Sequence, residues 1–348
     1  MRYAIAVLVA IALPLGACGD TDDGDQTTGS ITVMTHDSFN VSQALLDGFL
    51  DETGIEVEVL PAGDAGAALN QAILTKENPQ GDVFFGVDNT FLTRALDEDL
   101  FVRYESPGLD TVDRQFVVDD EHRVTPVDYG DVCLNYDKEF FTAEGVAVPQ
   151  TLDDLTLPEY RDLLVVENPA TSSPGLAFLL ATVDRFGEDG YLDYWADLRA
   201  NGVHVSEGWE DAYYAQFSGG AGEGSRPLVV SYASSPPAEV VFADPPLSEA
   251  PTGVIDDGCF RQIEFAGVLQ GAANPDGARH FIDFLLSTEF QEDMPLNMFV
   301  FPVSTEAELP DAFAQHAVIP TEPVTVDPEE IGENRDRWIE EWTETVIR

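Results

Sequence analysis

The sequence is short of positive charge. Of its 348 residues only Lys76 and Lys138 are lysine and 14 are arginine, against 65 Asp and Glu, for a formal net charge of −49 at pH 7. A surface of that sign repels phosphate backbones and anionic lipid headgroups, which argues against nucleic acid and against electrostatic membrane attachment, and it favours cationic ligands. Few lysines among many aspartates is also the composition of a salt-adapted or GC-rich proteome. We take solubility in brine as the main source of the charge, since at 1 M salt the Debye length falls to about 3 Å and long-range fields vanish. Cysteine is scarce too, at three residues, and there is no C-x-x-C, H-E-x-x-H or His-rich tract, so the usual zinc signals are missing. No G-x-S-x-G occurs, and His36, His122, His204, His280 and His316 are scattered without a nucleophile beside them. Nothing in the pattern asks for catalysis.

What is present is a large core. The chain is 44% hydrophobic, with 21 Phe, 10 Tyr and 4 Trp, which excludes general disorder and, at this length, suggests two domains. Arg2 and the apolar run from Ala4 to Leu13 form a secretory signal, too short to span a bilayer as a helix. Leu15-Gly16-Ala17-Cys18 follows, similar to the lipobox of bacterial lipoproteins, in which the cysteine is acylated and becomes the first residue. The expectation is a signal peptide over 1–17, a lipid on Cys18 and an Asp/Gly/Thr tether over 18–29. An ordinary cleaved signal with an incidental cysteine is the plainer alternative. Cys133 and Cys259 then remain, and export to an oxidising compartment makes a disulfide possible, with two free buried thiols as the alternative.

Beyond the tether, strands and helices alternate. Ile31–Thr35, Ile55–Leu60 and Asp82–Phe85 read as strands, and Val41–Thr53, Ala65–Lys76 and Asn89–Leu96 as helices, which implies βαβ units on a mainly parallel sheet. Ligands in such sheets sit beyond the carboxyl ends of the strands, so His36 to Phe39, Ala62 to Asp64 and Val87 to Asn89 are the residues to inspect. Further on, Leu163–Glu167 and Leu228–Tyr232 read as strands, and Pro174–Phe186, Leu192–Asn201, Glu207–Phe217, Pro275–Ser287 and Glu329–Val346 as helices. Two long extended stretches, Val124–Tyr136 and Cys259–Gln270, bracket the middle of the chain like a pair of crossings between lobes. The predicted fold is therefore an α/β two-lobed clamshell with two hinge crossings. Residues 30–128 and 262–348 would form the first lobe and 129–261 the second.

Several motifs carry competing readings. The Gly219–Gly224 run lies between a helix and a strand, the wrong order for a phosphate cradle, and reads as a surface turn. Thr171 to Gly175, at a helix start, is either an anion site or simple capping. Ser231 to Pro236 follows a strand and either lines a cleft or turns. Adjacent Tyr213 and Tyr214 suggest ferric ion, which tyrosines hold in some clamshell proteins. Trp209, Phe299 and Phe301 are either core or the aromatic wall for a flat cation.

Beside these readings stand several collinear segments: Val33 to Phe39, Asp82 to Asn89, Val127 to Gly130, Asn168 to Leu176, Glu207 to Tyr213, Leu228 to Pro236, Phe301 to Val303 and Arg337 to Trp342. Together they resemble the thiamine-binding proteins of bacterial ABC importers. The resemblance implies a type II periplasmic-binding-protein fold that holds thiamine or thiamine phosphate between its lobes and delivers it to a permease and its ATPase. It implies no enzyme activity and no cofactor and an extracytoplasmic monomer, to which the lipobox adds the anchor on Cys18 and the charge the expectation of no nucleic acid partner. Carried over, Asp64 would accept from the aminopyrimidine and Trp209 and Tyr232 would line the rings. Ser172 and Ser173 would face the hydroxyethyl or phosphate end, and Asp37, Ser38 and Phe39 the first-lobe wall. Tyr213 and Phe299 complete the expected ligand set. Three positions depart from the family pattern: His36 stands for a Tyr, Phe299 for a Trp, and Ala238 for a second cleft Tyr. Less stacking area brings a thiamine precursor, or another heteroaromatic cation, within range of the site. Ferric ion on Tyr213 and Tyr214 is the alternative ligand.

Overall fold

The computed structural model describes residues 29–348; the expected signal peptide, Cys18 and all of the expected tether but Gly29 lie outside the described residues. Gly29 already pairs with Ile55, so the first strand starts where the tether was expected to end. In the first half of the molecule β1 (Gly29–Thr35), α1 (Gln43–Thr53), β2 (Ile55–Pro61), α2 (Ala65–Leu74), β3 (Val83–Asp88) and α3 (Leu92–Asp97) follow one another. β1 pairs in parallel with both β2 and β3. All six residues of β3 are buried, and their side chains alternate: Phe84 and Val87 enter one core, Val83 and Phe85 the other. That is the pattern of a strand covered by helices on both faces. β2 is the edge, and exposed Glu56 and Glu58 keep it from pairing further.

The centre is made by β4 (Thr125–Asp137), followed by the short helix α4 (Lys138–Glu144), and by β8 (Thr252–Val268). The second half carries β5 (Leu164–Glu167), α5 (Ser173–Phe186), α6 (Tyr191–Ala200), β6 (His204–Ser206), β7 (Leu228–Tyr232), α7 (Pro236–Val241) and then β8 (Thr252–Val268). The strand order is β2-β1-β3-β8-β4-β7-β5-β6. β4 and β8 are antiparallel along their whole length, from Thr125 opposite Ala266 to Asp137 opposite Thr252. One end of β8 pairs with β3 and the far end of β4 pairs with β7, so these two strands run through both halves as the crossings. The second crossing begins at Thr252, upstream of the expected Cys259. Asp256-Asp257-Gly258, with Gly258 at φ +73°, is absorbed as a bulge opposite Cys133. A disulfide joins Cys133 and Cys259 across it.

The rest returns to the first half: α8 (Pro275–Leu285), α9 (Thr288–Asn297), β9 (Phe301–Pro302), which pairs with β4, α10 (Asp311–His316) and α11 (Pro328–Val346). α11 buries Ile331, Arg335, Trp338, Trp342 and Val346, a single helical stripe. Trp342 meets Trp195 of α6 edge-on at 5.4 Å, while Arg335 lies over Phe91 at the start of α3, so the helix spans the back of both halves. The segment Glu207–Phe217 departs from the expected ordinary helix. It forms a π-helical turn over Asp211–Gln216, closed by the Phe217 amide donating to the Ala212 carbonyl, a wide turn frequent at functional sites. No described helix is long and apolar enough to cross a membrane.

Candidate functional site

The carboxyl ends of β1, β2 and β3 face those of β5, β6 and β7 across a cleft, and Asp64 connects the two sides. Its position follows from its local role as the N-cap of α2, where Oδ1 accepts from the Ala65 amide at 2.6 Å. The same carboxylate reaches over the cleft. Oδ2 accepts from the Trp209 amide at 2.9 Å, and Oδ1 from the Ser173 amide at 3.4 Å. Gly208 makes this approach possible, because a Cβ there would lie 2.9 Å from Asp64 Oδ2. Burial raises the Asp64 pKa; the Trp209 and Ala65 amides, Ser172 and His36 hold the rise down.

Aromatic rings are arranged around this carboxylate. The Trp209 indole stacks on Tyr213 at 4.9 Å and 20°, and Tyr214 and Tyr232 stand edge-on to it at 5.5 and 6.5 Å. The indole N–H donates to Ser231 Oγ at 2.9 Å, the Tyr232 hydroxyl to Gln262 at 2.9 Å, and the Tyr213 hydroxyl to Glu239 at 2.7 Å. Phe299, on the opposite lip, holds a left-handed φ of +58°. Its carbonyl accepts from Ser234 across the cleft, and its ring meets Phe242 edge-on at 5.7 Å. Strained backbone of this kind persists only where surroundings enforce it, and it clusters at ligand clamps.

Below lies a layer of buried acids. Asp128 and Glu264 face each other on the two crossings. No donor among the described residues reaches either oxygen of Asp128. Burial, with Glu264 beside it, raises the Asp128 pKa well above the carboxylate range. His36 Nε2 is 3.5 Å from Glu264 Oε1; burial lowers the His36 pKa, but Glu264, with Asp64 and Asp37, outweighs that and the net shift is upward. The imidazole fills the space that a side chain at Gly86, at φ +96°, would need. Asp88 accepts from Thr90 and the Phe91 amide and from the Ser173 hydroxyl, and burial pushes its pKa up to about 6.

The main cavity, of about 770 Å³, opens between Asp37, Ser38 and Phe299 on one side and Trp209, Tyr213 and Glu239 on the other. A deeper void of about 50 Å³ continues inward to Asp64, Ser173, Tyr232, His36 and Glu264. Eight of the nine expected ligand residues therefore border one void or both, whereas Ser172 is fully buried beside Asp64 and borders neither. Ala238 borders the main cavity, so the missing tyrosine leaves open volume. The Gly219–Gly224 turn is nearer the site than expected: Gly220 and Ala221 line the cavity beside Glu239. Asp88 lies among the residues expected after β3, whereas Glu239, Glu210 and Glu264 were not anticipated. Glu239 follows Pro236-Pro237, a pair that starts α7 and was the available signal for a helix there. A separate polar groove of about 520 Å³, at Lys76, Pro79 and Glu98, shares no residue with the cleft.

Comparison with known proteins agrees with this architecture. A family model described as bacterial extracellular solute-binding protein matches residues 78–327. The thiamine-binding periplasmic protein of Escherichia coli strain K12 is 27% identical over 322 residues, covering 91% of this chain and 94% of the relative. A solved periplasmic thiamin binding protein superposes with a TM-score of 0.80 at 25% identity, over 95% of this chain and 100% of that one. Iron-bound HitA from Pseudomonas aeruginosa shares the fold, with a TM-score of 0.71 at 17% identity, over 91% of this chain and 99% of that one.

Proposed function

The chain belongs to the family of bacterial extracellular solute-binding proteins, and from that premise we propose that it is the thiamine receptor of an ABC importer. Its fold is the type II periplasmic-binding-protein clamshell, and a substrate-binding role in such an importer follows from family and relatives. The ligand rests on one observation: the cleft sets the stacked Trp209 and Tyr213 rings among Asp37, Asp64, Glu210 and Glu239, and among the described residues no Lys or Arg lines it. A flat cation is what aromatic faces and carboxylates together attract. In this reading the pyrimidine amine donates to the remaining acceptor position of Asp64, Trp209 and Tyr232 flank the rings, and the thiazolium faces the mouth carboxylates.

The ferric reading is less well supported. Tyr213 donates its proton to Glu239, and burial with that carboxylate raises its pKa well above the usual phenol value; burial raises Tyr214 as well. Among the described residues no group of three or more His, Cys, Asp or Glu gathers that could complete an iron site. The lobe boundaries 30–128 with 262–348 and 129–261, the lipid on Cys18, an extracytoplasmic location and a monomeric state are parts of the same proposal. Calorimetric titration of the purified chain with thiamine, and in parallel with ferric citrate, tests it. Submicromolar thiamine binding is expected; no thiamine heat, together with a visible tyrosinate-to-iron band, would replace thiamine by iron.

A further inference from the structure

Among the described residues that border the two voids, His36 is the one side chain that can carry a positive charge. It follows β1 directly, and its ring is held in place: Gly86 leaves the room that the imidazole fills, and the Phe85 ring lies against it at 5.7 Å and 50°. Carboxylates face it from several elements. Glu264 of β8 has Oε1 3.5 Å from Nε2, Asp64 stands ahead of α2, Asp37 is on the same loop, and Glu210 lies on the turn after β6. Beyond Glu264 are Asp128 of β4 and Asp88 at the end of β3, and Tyr232 of β7 borders the same void.

Burial disfavours the charged imidazole, but Glu264, with Asp64 and Asp37, more than offsets it, so His36 keeps its proton to a higher pH than the ordinary histidine value of 6.5. An imidazolium beside Glu264 and a thiazolium in the same cleft are like charges. Unit charges about 6 Å apart, at an effective dielectric of about 20, shift an equilibrium by roughly tenfold or more.

Resting on the thiamine reading above, we propose that a proton on His36 and the ligand cation compete for this cleft, which makes His36 a specificity-determining residue whose proton passes to solvent as the cation enters. The neutral imidazole then remains beside Glu264, and the thiazolium takes over its share of the surrounding negative charge.

The sign is fixed by the like charges. A bound cation lowers the imidazole pKa, so affinity rises with pH between the bound and free values, over about pH 6 to 8, and falls on acidification. The nearby carboxylates respond in the same direction, so the share of His36 is read from variants that cannot hold that proton, His36→Gln and His36→Tyr.

Calorimetric titration of the purified full chain with thiamine near pH 6, 7 and 8, in buffers of different ionisation heat, gives affinity and proton release together. Wild type should bind about tenfold more tightly near pH 8 than near pH 6 and release a fraction of a proton near pH 7. In either variant the affinity ratio should fall to about twofold or less and the release should shrink with it. Equal wild-type affinities across this range with no proton released would overturn the inference while leaving the thiamine reading intact. Release that persists in full in both variants would assign the proton to the carboxylates and overturn the role of His36. A chain that binds no thiamine at any of these pH values contradicts the thiamine reading itself.

Discussion

Substituting Asp64 by Asn isolates the contact on which the site turns. A carboxylate offers about four acceptor positions, and Asp64 uses three, for the amides of Ala65, Ser173 and Trp209. One position on Oδ2 is left for a ligand amine. Asn keeps the shape and can keep the cap on Ala65, but it presents an NH2 where Oδ2 accepted from Trp209. A ligand hydrogen bond to a charged acceptor is worth about 1.5–3 kcal/mol, so thiamine should bind roughly 10- to 150-fold more weakly. The buried Trp209 amide loses its acceptor, while an acid whose pKa burial had raised loses its desolvation cost. These changes oppose each other, so the melting temperature should move little compared with the affinity. Calorimetry gives the affinity and a thermal melt the stability. A dissociation constant within twofold of the wild type would remove Asp64 from the site.

Trp209→Leu should weaken thiamine by about 2 kcal/mol, the size of a desolvated cation–π contact. It should also abolish ligand-dependent tryptophan fluorescence change, because Trp195, Trp338 and Trp342 are fully buried around α6 and α11; persistence of that change in the variant would contradict the assignment. Asp88 has its pKa raised by burial to about 6 in the folded chain, above its ordinary value of 3.8, so folding takes up a proton between those values. The stability from this group is complete below its ordinary pKa and is lost as pH rises through about 6, a loss of up to about 3 kcal/mol. Asp88→Asn should therefore be less pH-sensitive than the wild type across that window in denaturant titrations, and parallel profiles would refute the argument. Removing the Cys133–Cys259 bridge, which spans 126 positions, should cost about 3–5 kcal/mol of stability. Unfolding of the Cys133→Ala/Cys259→Ala chain measures it; an unchanged midpoint would mean the bridge constrains nothing in the unfolded state.

The parts of the fold legible in sequence are those with strong local signals. β7 is a bounded apolar run, and its expected limits, Leu228 to Tyr232, are the observed ones. α5 announces itself with Ser residues and Pro174 at its first turn. What escaped depends on partners distant in the chain. The first half of β8 escaped because Asp256-Asp257-Gly258 interrupts its apolar alternation, and the strand continues only where β4 lies beside it. Asp128 and Glu264 form an acid pair only through strand register across the two crossings, and nothing around either residue announces it. The wide turn at Asp211–Gln216 has the composition of an ordinary helix. At the site, the expected residues came from resemblance, whereas Glu210 and Glu239 came from geometry. A lone glutamate among 65 acidic residues carries no signal until a cavity adjoins it.

The most direct test of the account is a crystal structure of the chain grown with saturating thiamine. The account predicts one ligand between the two halves, its rings against Trp209 and Tyr232 and its pyrimidine amine within hydrogen-bond distance of Asp64. An empty cleft at saturating ligand, or thiamine bound elsewhere on the molecule, would contradict it.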